Sequence, residues 1–182
     1  MKKILLAATV ALCALSASAQ KYATRSANIS FFSKTSVENI QAINHEASAA
    51  LNAKTGEIMA VVPIRSFKFE KELMQEHFNE NYMESGKFPK AEFRGNITNI
   101  NQVNFSKDGV YPVKAIGKLT MHGVTKEVAM PGTITIKKGV AVLVSDFSVK
   151  CADYGIKIPT VVSSKVAESI AVSLNASLNA AK

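Results

Sequence analysis

Residues 113–136 read VKAIGKLTMHGVTKEVAMPGTITI, and the fold class follows from this stretch. Between Val113 and Met121, every second side chain is small or apolar. The positions between them are Lys114, Ile116, Lys118 and Thr120. A period of two with one small or apolar face indicates a half-buried antiparallel strand. The pair His122-Gly123 predicts a turn, because Gly123 can adopt a positive φ, and another alternating run follows at 127–136. The stretch therefore predicts a β-hairpin.

Short alternating runs of the same kind recur along the rest of the chain. They predict strands at 28–33, 40–45, 46–52, 57–64, 92–100, 113–122, 127–136 and 140–150. Gly-containing turns at 54–56, 107–109 and 137–139 separate several of them. The run 166–178 fits a helix or a strand by spacing, but its Val, Ile and Ser content favours a strand. Many strands at hairpin spacing predict an all-β sandwich or an up-and-down barrel.

One segment departs from the period of two. Between residues 70 and 82, Leu73, Met74, Phe78 and Tyr82 stand at helical spacing among polar residues. This pattern predicts an amphipathic helix that ends before Ser85-Gly86. A single helix in an all-β chain most simply covers one end of a barrel.

The N-terminus has the pattern of a signal peptide. Lys2 and Lys3 precede an apolar run at 4–15, and Ala17-Ser18-Ala19 supplies a cleavage site. A helix over this run would rise about 18 Å, which is short of a bilayer core of roughly 30 Å. We therefore expect a signal peptide at 1–19, a single domain at 20–182, and export to the periplasm or the medium. An uncleaved anchor is the alternative.

Composition and charge narrow the class of protein further. The chain has 182 residues, 47% of them apolar, and a net charge of +8, which becomes +6 once Lys2 and Lys3 leave with the signal peptide. These proportions exclude fibrous and disordered classes. The basic residues are spread thinly, without a basic arm or a zinc finger, so no nucleic-acid partner is expected. A mild positive charge suits transient contact with a membrane surface, although a soluble basic surface explains it equally well. The oligomeric state stays open, a dimer included.

The sequence offers no recognisable catalytic or metal-binding set. After removal of the signal peptide, Cys151 is the single cysteine, so no internal disulfide can form. It lies in phase with Phe147 and Val149, which predicts a buried, inert thiol. The three histidines lie far apart in the sequence, and no paired-cysteine motif, nucleophile elbow or phosphate loop is found. No catalytic residue, metal ion or cofactor is therefore predicted.

The predicted strands and helix carry more inward-facing apolar side chains than a single open sheet needs. Ala60, Ala115, Gly117 and Ala129 add small side chains that would leave space between them. The pattern alone slightly favours a barrel filled by its own side chains over a hollow one. The side chains expected to converge inside are Phe31, Ile58, Val62, Phe67, Phe69, Leu73, Phe78, Phe93, Ile97, Leu119, Met121, Leu143 and Phe147.

Three short motifs follow one another along the chain in a defined order. They are FPKAEF at 88–93, GKLTMHGVTKEV at 117–128, and DFS at 146–148 leading to DYGI at 153–156. In these motifs and their spacing the chain resembles the YceI-like family of exported polyisoprenoid-binding proteins, over nearly the whole mature length. The resemblance implies an extended, antiparallel, lipocalin-like β-barrel with one helix near its mouth. It also implies a hydrophobic tunnel for a long isoprenoid tail, which in some members belongs to a quinone or a prenyl diphosphate.

The resemblance turns the inward-facing set into a candidate lipid-binding site. The thirteen side chains given above are expected to line the tunnel, and Arg65, Lys68 and Lys71 near the start of the helix are candidates for contact with a head group. We therefore expect an exported binding protein, not an enzyme, that sequesters or transports a polyisoprenoid, an isoprenoid quinone or a similar lipid. The alternatives are a structural or stress-related envelope protein with a filled barrel and, third, an enzyme acting on a prenyl lipid.

Overall fold

The fold consists of nine β-strands and one short α-helix in a computed structural model that describes residues 21–180. The expected signal peptide at 1–19, Gln20 and the last two residues lie outside the described residues. The helix is α1 (Glu72–His77). The strands are β1 (Lys21–Lys34), β2 (Asn39–Asn52), β3 (Glu57–Pro63), β4 (Lys68–Phe69), β5 (Lys90–Ile97), β6 (Gly109–Met121), β7 (Val124–Lys137), β8 (Val140–Lys150) and β9 (Ser169–Ala180).

Eight of the strands close into one antiparallel barrel. Their order is β1-β2-β3-β5-β6-β7-β8-β9, and β9 pairs back with β1. Neighbours follow the chain order, and the segment 64–89, which carries β4 and α1, is inserted between β3 and β5. The expected all-β, lipocalin-like barrel with one helix is therefore confirmed. The connections 35–38, 64–89, 122–123 and 151–168 lie at one end, called here the helix end, and the opposite end is called the far end.

The hairpin predicted from residues 113–136 is present. The strands β6 and β7 pair from Gly109↔Ile136 to Met121↔Val124 around a two-residue turn. In that turn φ is +50° at His122 and +76° at Gly123, the left-handed pair that matches the twist of a tight hairpin. Ala129, one of the small residues predicted to face the interior, does not do so. It lies on the outer face opposite Ile116, because the inward phase of β7 runs through Val128 and Met130.

The strands predicted separately at 40–45 and 46–52 form the single strand β2. The register with β1 shifts near Ala27, and His45 and Glu46 are both exposed, as expected at a β-bulge. Asn44 is fully buried beside the bulge. Its Nδ2 donates to the Pro63 carbonyl at 2.7 Å, and its Oδ1 accepts from the Glu46 backbone N–H at 2.7 Å. The bulge breaks the alternation that the sequence pattern depends on.

The helix predicted at 70–82 is shorter and less regular than expected. Lys68 and Phe69 pair with β2, so the backbone is still extended at Lys71 and α1 begins at Glu72. After His77 the chain continues as a wider π-type turn over Phe78–Tyr82, closed by the Met83 N–H donating to the Phe78 carbonyl at 2.9 Å. The wider turn keeps Phe78 and Tyr82 packed against the core.

Large apolar side chains fill the far end of the barrel. Leu51, Ile134 and Leu178 are at most 1% exposed. Tyr22 is equally buried and stacks on Phe105, with the ring centroids 5.1 Å apart. The register places Tyr22 beside Leu51 and next to the last residues of β9, so this plug spans the bore where β1 begins. The far end is closed by packing.

The strands β5 and β6 approach closely where Gly95 and Gly117 face each other. A Cβ atom on Gly117 would lie 2.3 Å from the Arg94 carbonyl oxygen and 2.4 Å from the Gly95 Cα. Gly117 therefore permits this backbone contact, a different role from the interior space that the sequence suggested for it.

Replacing Gly117 with Ala is expected to lower the free energy of unfolding by about 1–3 kcal/mol, because two backbones must move apart. Gly86→Ala is the matched control, since its added Cβ would meet only the Arg65 side chain at 3.6 Å. Urea unfolding followed by circular dichroism measures both. Equal stability of the two variants would contradict the close approach.

Candidate functional site

The part of the barrel between the plug and α1 is hollow. The cavity there has a volume of about 530 Å³ and is lined mainly by apolar side chains. Its floor includes Ile58 and Ile97, which are almost fully buried, and its opening lies at the helix end, where exposed Leu73 belongs to the lining. The barrel is thus filled at one end and hollow at the other, a combination that neither sequence alternative described.

The inserted segment 64–89 supplies an aromatic cluster to the cavity near the helix end. Phe67, Phe69 and Phe78 come from this segment, and Phe31 comes from β1. Phe31 lies 5.3 Å, 5.7 Å and 5.4 Å, centroid to centroid, from Phe67, Phe69 and Phe78 respectively. The rings are tilted, edge-on or stacked, which are favourable aromatic arrangements. The cluster ties the helix to the barrel wall and gives the cavity an apolar, polarisable surface.

The structure brings together all thirteen side chains predicted to face the interior. They line the cavity from β1, β3, the inserted segment, β5, β6 and β8. Leu73 is the least enclosed, with 61% of its surface exposed, because it lies at the opening. Ala60 and Ala115 also line the cavity, as expected of small inward residues. Whether these residues contact a lipid stays a prediction.

Several lining residues were missed at the sequence level. Ile170, Val172 and Leu174 of β9 face the cavity, and so do Ile156 and Val162 of the connection 151–168. The alternation in β9 was visible in the sequence and already marked an inward face. The connection carries no such period, so only the folded chain shows that it covers the opening.

The wall between β7 and β8 is only partly hydrogen-bonded. Their ladder runs from Thr133↔Val144 to Lys137↔Val140, whereas both strands continue toward the helix end. The Ser145 hydroxyl donates to the Pro131 carbonyl at 2.6 Å where the ladder stops. Beyond that point, side chains such as Met130 and Phe147 form the cavity wall.

Charged side chains gather at the opening of the cavity. Glu38, Lys71, His77 and Lys165 belong to its lining. The Lys71 Nζ lies 3.9 Å from a carboxylate oxygen of Glu38. With Glu92, the lining therefore includes two lysines, one histidine and two carboxylates. The two lysines are the groups in this lining that could contact an anionic head group.

The predicted head-group set is not brought together. Of Arg65, Lys68 and Lys71, Lys71 alone lines the cavity. The Arg65 guanidinium turns to the outside of the inserted segment, where its Nε donates to the Ser85 hydroxyl at 3.3 Å. Lys68 is exposed on the outer side of β4. Closeness in sequence to the helix did not determine which side of the segment each cation would occupy.

Three polar side chains of the cavity lining, Ser33, Cys151 and Tyr82, are hydrogen-bonded to the backbone or remain uncharged. The Ser33 hydroxyl accepts the Ala167 backbone N–H at 2.9 Å, which anchors the connection 151–168 to the end of β1. Burial raises the pKa of the Cys151 thiol and, with a smaller contribution from Cys151, the pKa of Tyr82. Cys151 is buried, as predicted, and lines the cavity. At neutral pH the thiol and the phenol are therefore neutral, which suits an apolar ligand.

The motif around His122 serves the scaffold. Its Nδ1–H donates to the Tyr154 carbonyl at 3.0 Å, and its Nε2 lies 2.8 Å from a carboxylate oxygen of Glu84. The Phe88 ring packs edge-on against the imidazole, with the centroids 4.7 Å apart. One side chain thus joins the hairpin turn, the inserted segment and the connection 151–168.

Residues 21–180 contain neither a cluster of metal-ligating side chains nor a membrane-spanning helix. No group of three or more His, Cys, Asp or Glu side chains in this part of the chain is placed to hold a metal ion. No helix there has the length and apolar character needed to cross a bilayer.

A closed eight-stranded barrel with one apolar cavity beneath a short helix defines a lipocalin-like barrel. Residues 20–178 match the family model of the YceI-like domain, and the chain belongs to this family. The recognition made from the three sequence motifs is therefore confirmed. No curated protein matches the chain by sequence.

Solved structures with the same fold are distant in sequence. A polyisoprenoid binding domain from Saccharophagus degradans, implicated in plant cell wall breakdown, is 13% identical with a TM-score of 0.78, and the match covers 89% of this chain and 99% of that one. BcnA from Burkholderia cenocepacia is 16% identical with a TM-score of 0.68, over 84% and 94%. The Campylobacter jejuni YCEI protein is 17% identical with a TM-score of 0.54, over 75% and 82%. At these identities the likeness establishes the fold.

Proposed function

We propose that this chain is an exported binding protein that sequesters or transports a long apolar lipid, such as a polyisoprenoid or an isoprenoid quinone, in its barrel cavity. The observation that carries the proposal is the cavity of about 530 Å³ with apolar walls and charged groups at its opening. The Saccharophagus degradans domain, which has the same fold, is described as polyisoprenoid binding, and this supports the ligand class. A carrier of this kind needs no catalytic residues.

The size of the cavity limits how much of a lipid it encloses. Pockets of about 300–1,000 Å³ hold ligands of drug size. A cavity of about 530 Å³ therefore takes one end of a long isoprenoid chain, and the remainder lies at the opening. The packed far end prevents the chain from passing through. We expect affinity to rise with chain length until the cavity is full and then to stay constant.

The free energy of binding depends on where the lipid comes from. Moving about ten methylene groups out of water contributes roughly 8 kcal/mol, near micromolar affinity before ordering costs. A lipid taken from a membrane already has its tail out of water, so burial contributes little to extraction. The fit to the cavity and the groups at the opening must then select the ligand.

Filling the cavity is expected to abolish binding. Ala115→Phe places a ring inside the cavity, and Ala129→Phe, on the outer face of the neighbouring strand, is the matched control. Titration with a fluorescent isoprenoid alcohol should show at least a tenfold weaker affinity for Ala115→Phe and a change of less than twofold for Ala129→Phe. Thermal unfolding checks that both variants fold.

A second readout comes from the thiol within the cavity. Bound isoprenoid should slow alkylation of Cys151, which lines the same space. If the native chain shows no saturable binding, or if both phenylalanine variants bind equally well, the cavity is not the lipid site.

We further propose that Lys71 and Lys165 favour an anionic head group. Replacing both with Gln should weaken binding of a prenyl phosphate by about two- to fivefold per lysine, because exposed charge pairs are worth little individually. Binding of the corresponding prenyl alcohol should not change. Lys68→Gln is the control, since this exposed lysine lies outside the cavity lining. Equal losses for phosphate and alcohol would contradict a head-group role.

Export is proposed from the N-terminal pattern. Lys2, Lys3 and the apolar run that follows should direct secretion, with cleavage after Ala19. N-terminal sequencing of protein recovered from the periplasm or the medium should begin at Gln20. Recovery of the intact N-terminus in the membrane fraction would instead indicate an uncleaved anchor.

A further inference from the structure

The barrel wall between β7 and β8 loses its backbone ladder toward the helix end. The last paired residues are Thr133 and Val144, and a Cβ atom on Gly132 would lie 2.9 Å from the Val144 carbonyl oxygen. Beyond this close contact both strands continue, residues 124–131 of β7 paired with β6 and residues 146–150 of β8 paired with β9. We call these two facing stretches the seam.

The sequence explains why the ladder stops. The Pro131 carbonyl points toward β8, because it accepts the Ser145 hydroxyl at 2.6 Å. The N–H and C=O of one strand residue point to the same neighbour, so the missing N–H of Pro131 removes the next donor to β8. A side-chain hydrogen bond therefore stands where the ladder would continue. No ion pair among residues 21–180 joins the two stretches of the seam.

Burial along the inward phase of β7 changes where the ladder ends. Ile134 is fully buried, whereas Met130 and Val128 are half-buried. Lys126 has the same phase, because it pairs with buried Leu119, and yet it is exposed. The wall that is closed at Ile134 is therefore open to solvent nearer the helix end.

The cavity reaches the seam from inside. Met130, Phe147 and Val149 line the cavity from the two strands of the seam. Pro131 also belongs to the lining, although it pairs with Lys114 on the outer face and is exposed. Along the seam, side chains therefore form the wall between the cavity and solvent.

The ladder between β2 and β3 also stops short of the helix end, at Ser48↔Val61. On that side of the barrel, however, β4 pairs with β2 in place of β3, through Ala42↔Phe69. The backbone of the inserted segment thus completes the β2 wall, and the seam between β7 and β8 has no such additional strand among residues 21–180.

A hydrogen bond fastens each end of the seam. At one end the Ser145 hydroxyl holds Pro131, and at the other the His122 Nδ1–H donates to the Tyr154 carbonyl at 3.0 Å. The inserted segment is held more firmly, because β4 pairs with β2 and the aromatic cluster packs against Phe31. Regions with few hydrogen bonds open at the lowest free energy, so the seam is the part of the cavity wall expected to separate first.

We propose that an isoprenoid chain enters and leaves the cavity sideways, through the seam. The inference rests on the proposed function, since it describes how the same cavity is loaded. A chain threaded end-first through the opening would pass Glu38, Lys71 and Lys165 and displace water from these charges. Separation of the seam lays the chain against Met130 and Phe147 instead, while the polar end of the lipid stays at the helix end.

Closing the seam covalently tests the proposal. Ala129 and Ser148 are both exposed and would face each other if the ladder continued in its register. Ala129→Cys and Ser148→Cys, introduced together into a Cys151→Ser chain, are joined by a bismaleimide with a reducible spacer. Joining should slow association and dissociation of a fluorescent isoprenoid alcohol at least tenfold in stopped-flow measurements. Reduction of the spacer should restore both rates.

The matched control for the crosslink is Thr135→Cys with Val142→Cys, since these two residues are already paired in the ladder between the same strands. This crosslink should change both rates less than twofold. Unchanged rates for the crosslink at the seam, or equal slowing by the control crosslink, would overturn the proposal.

Loosening the seam should have the opposite effect. Ser145→Ala removes the hydrogen bond to Pro131 and should accelerate exchange of the alcohol about two- to tenfold. Ser33→Ala is the control, because Ser33 is also buried but its hydroxyl accepts the Ala167 N–H of the connection 151–168. Exchange in Ser33→Ala should change less than twofold. Faster exchange in Ser33→Ala with no change in Ser145→Ala would place the entrance beneath that connection and overturn the proposal.

Equilibrium titration separates failure of this proposal from failure of the proposed function. The seam affects the path and not the bound state, so the dissociation constant of the alcohol should change less than twofold in every variant. Saturable binding with exchange rates that neither the crosslink nor Ser145→Ala alters would overturn the seam alone. No saturable binding by the native chain would overturn the lipid-carrier function and the seam with it. Circular dichroism confirms that each variant is folded.

Discussion

The ladder between β1 and β2 closes the sheet, and the cavity depends on that closure. Because β1 pairs with both β2 and β9, the inward side chains of all eight strands face the same interior. Closure also gives each wall strand a neighbour on both sides, although the β7–β8 and β2–β3 ladders stop short of the helix end. In an open sheet, alternating apolar side chains would give only an apolar face. In this closed barrel the same side chains enclose a cavity.

Side-chain size divides this volume into two parts. At the far end, Tyr22, Leu51 and Leu178 are almost completely buried, and none of them lines the cavity. Nearer the helix, small residues such as Ala60 and Ala115 alternate with larger ones, and the inserted segment holds the aromatic cluster over the opening. The same strands therefore form a packed core at one end of the barrel and an apolar cavity at the other.

The sequence predicted what depends on local periodicity. The main strands, the His122-Gly123 turn and the thirteen side chains predicted to face the interior follow from alternation and spacing. It failed where a tertiary contact overrides the pattern: the bulge near Glu46 split β2 into two predicted strands, and pairing of Lys68 with β2 delayed the helix. The side of the inserted segment that Arg65 occupies depends on Ser85, twenty positions away, and no local rule contains that information.

The plug built around Tyr22 and Phe105 has a kinetic consequence. In a carrier of the proposed kind, a cavity that is closed at one end cannot be filled from one side and emptied from the other, so a donor and an acceptor would have to use the same face of the protein in succession. The bound molecule would then have to leave before another could enter. The protein would therefore spend part of each cycle vacant, and delivery would depend on diffusion between two surfaces, with no continuous bridge joining them.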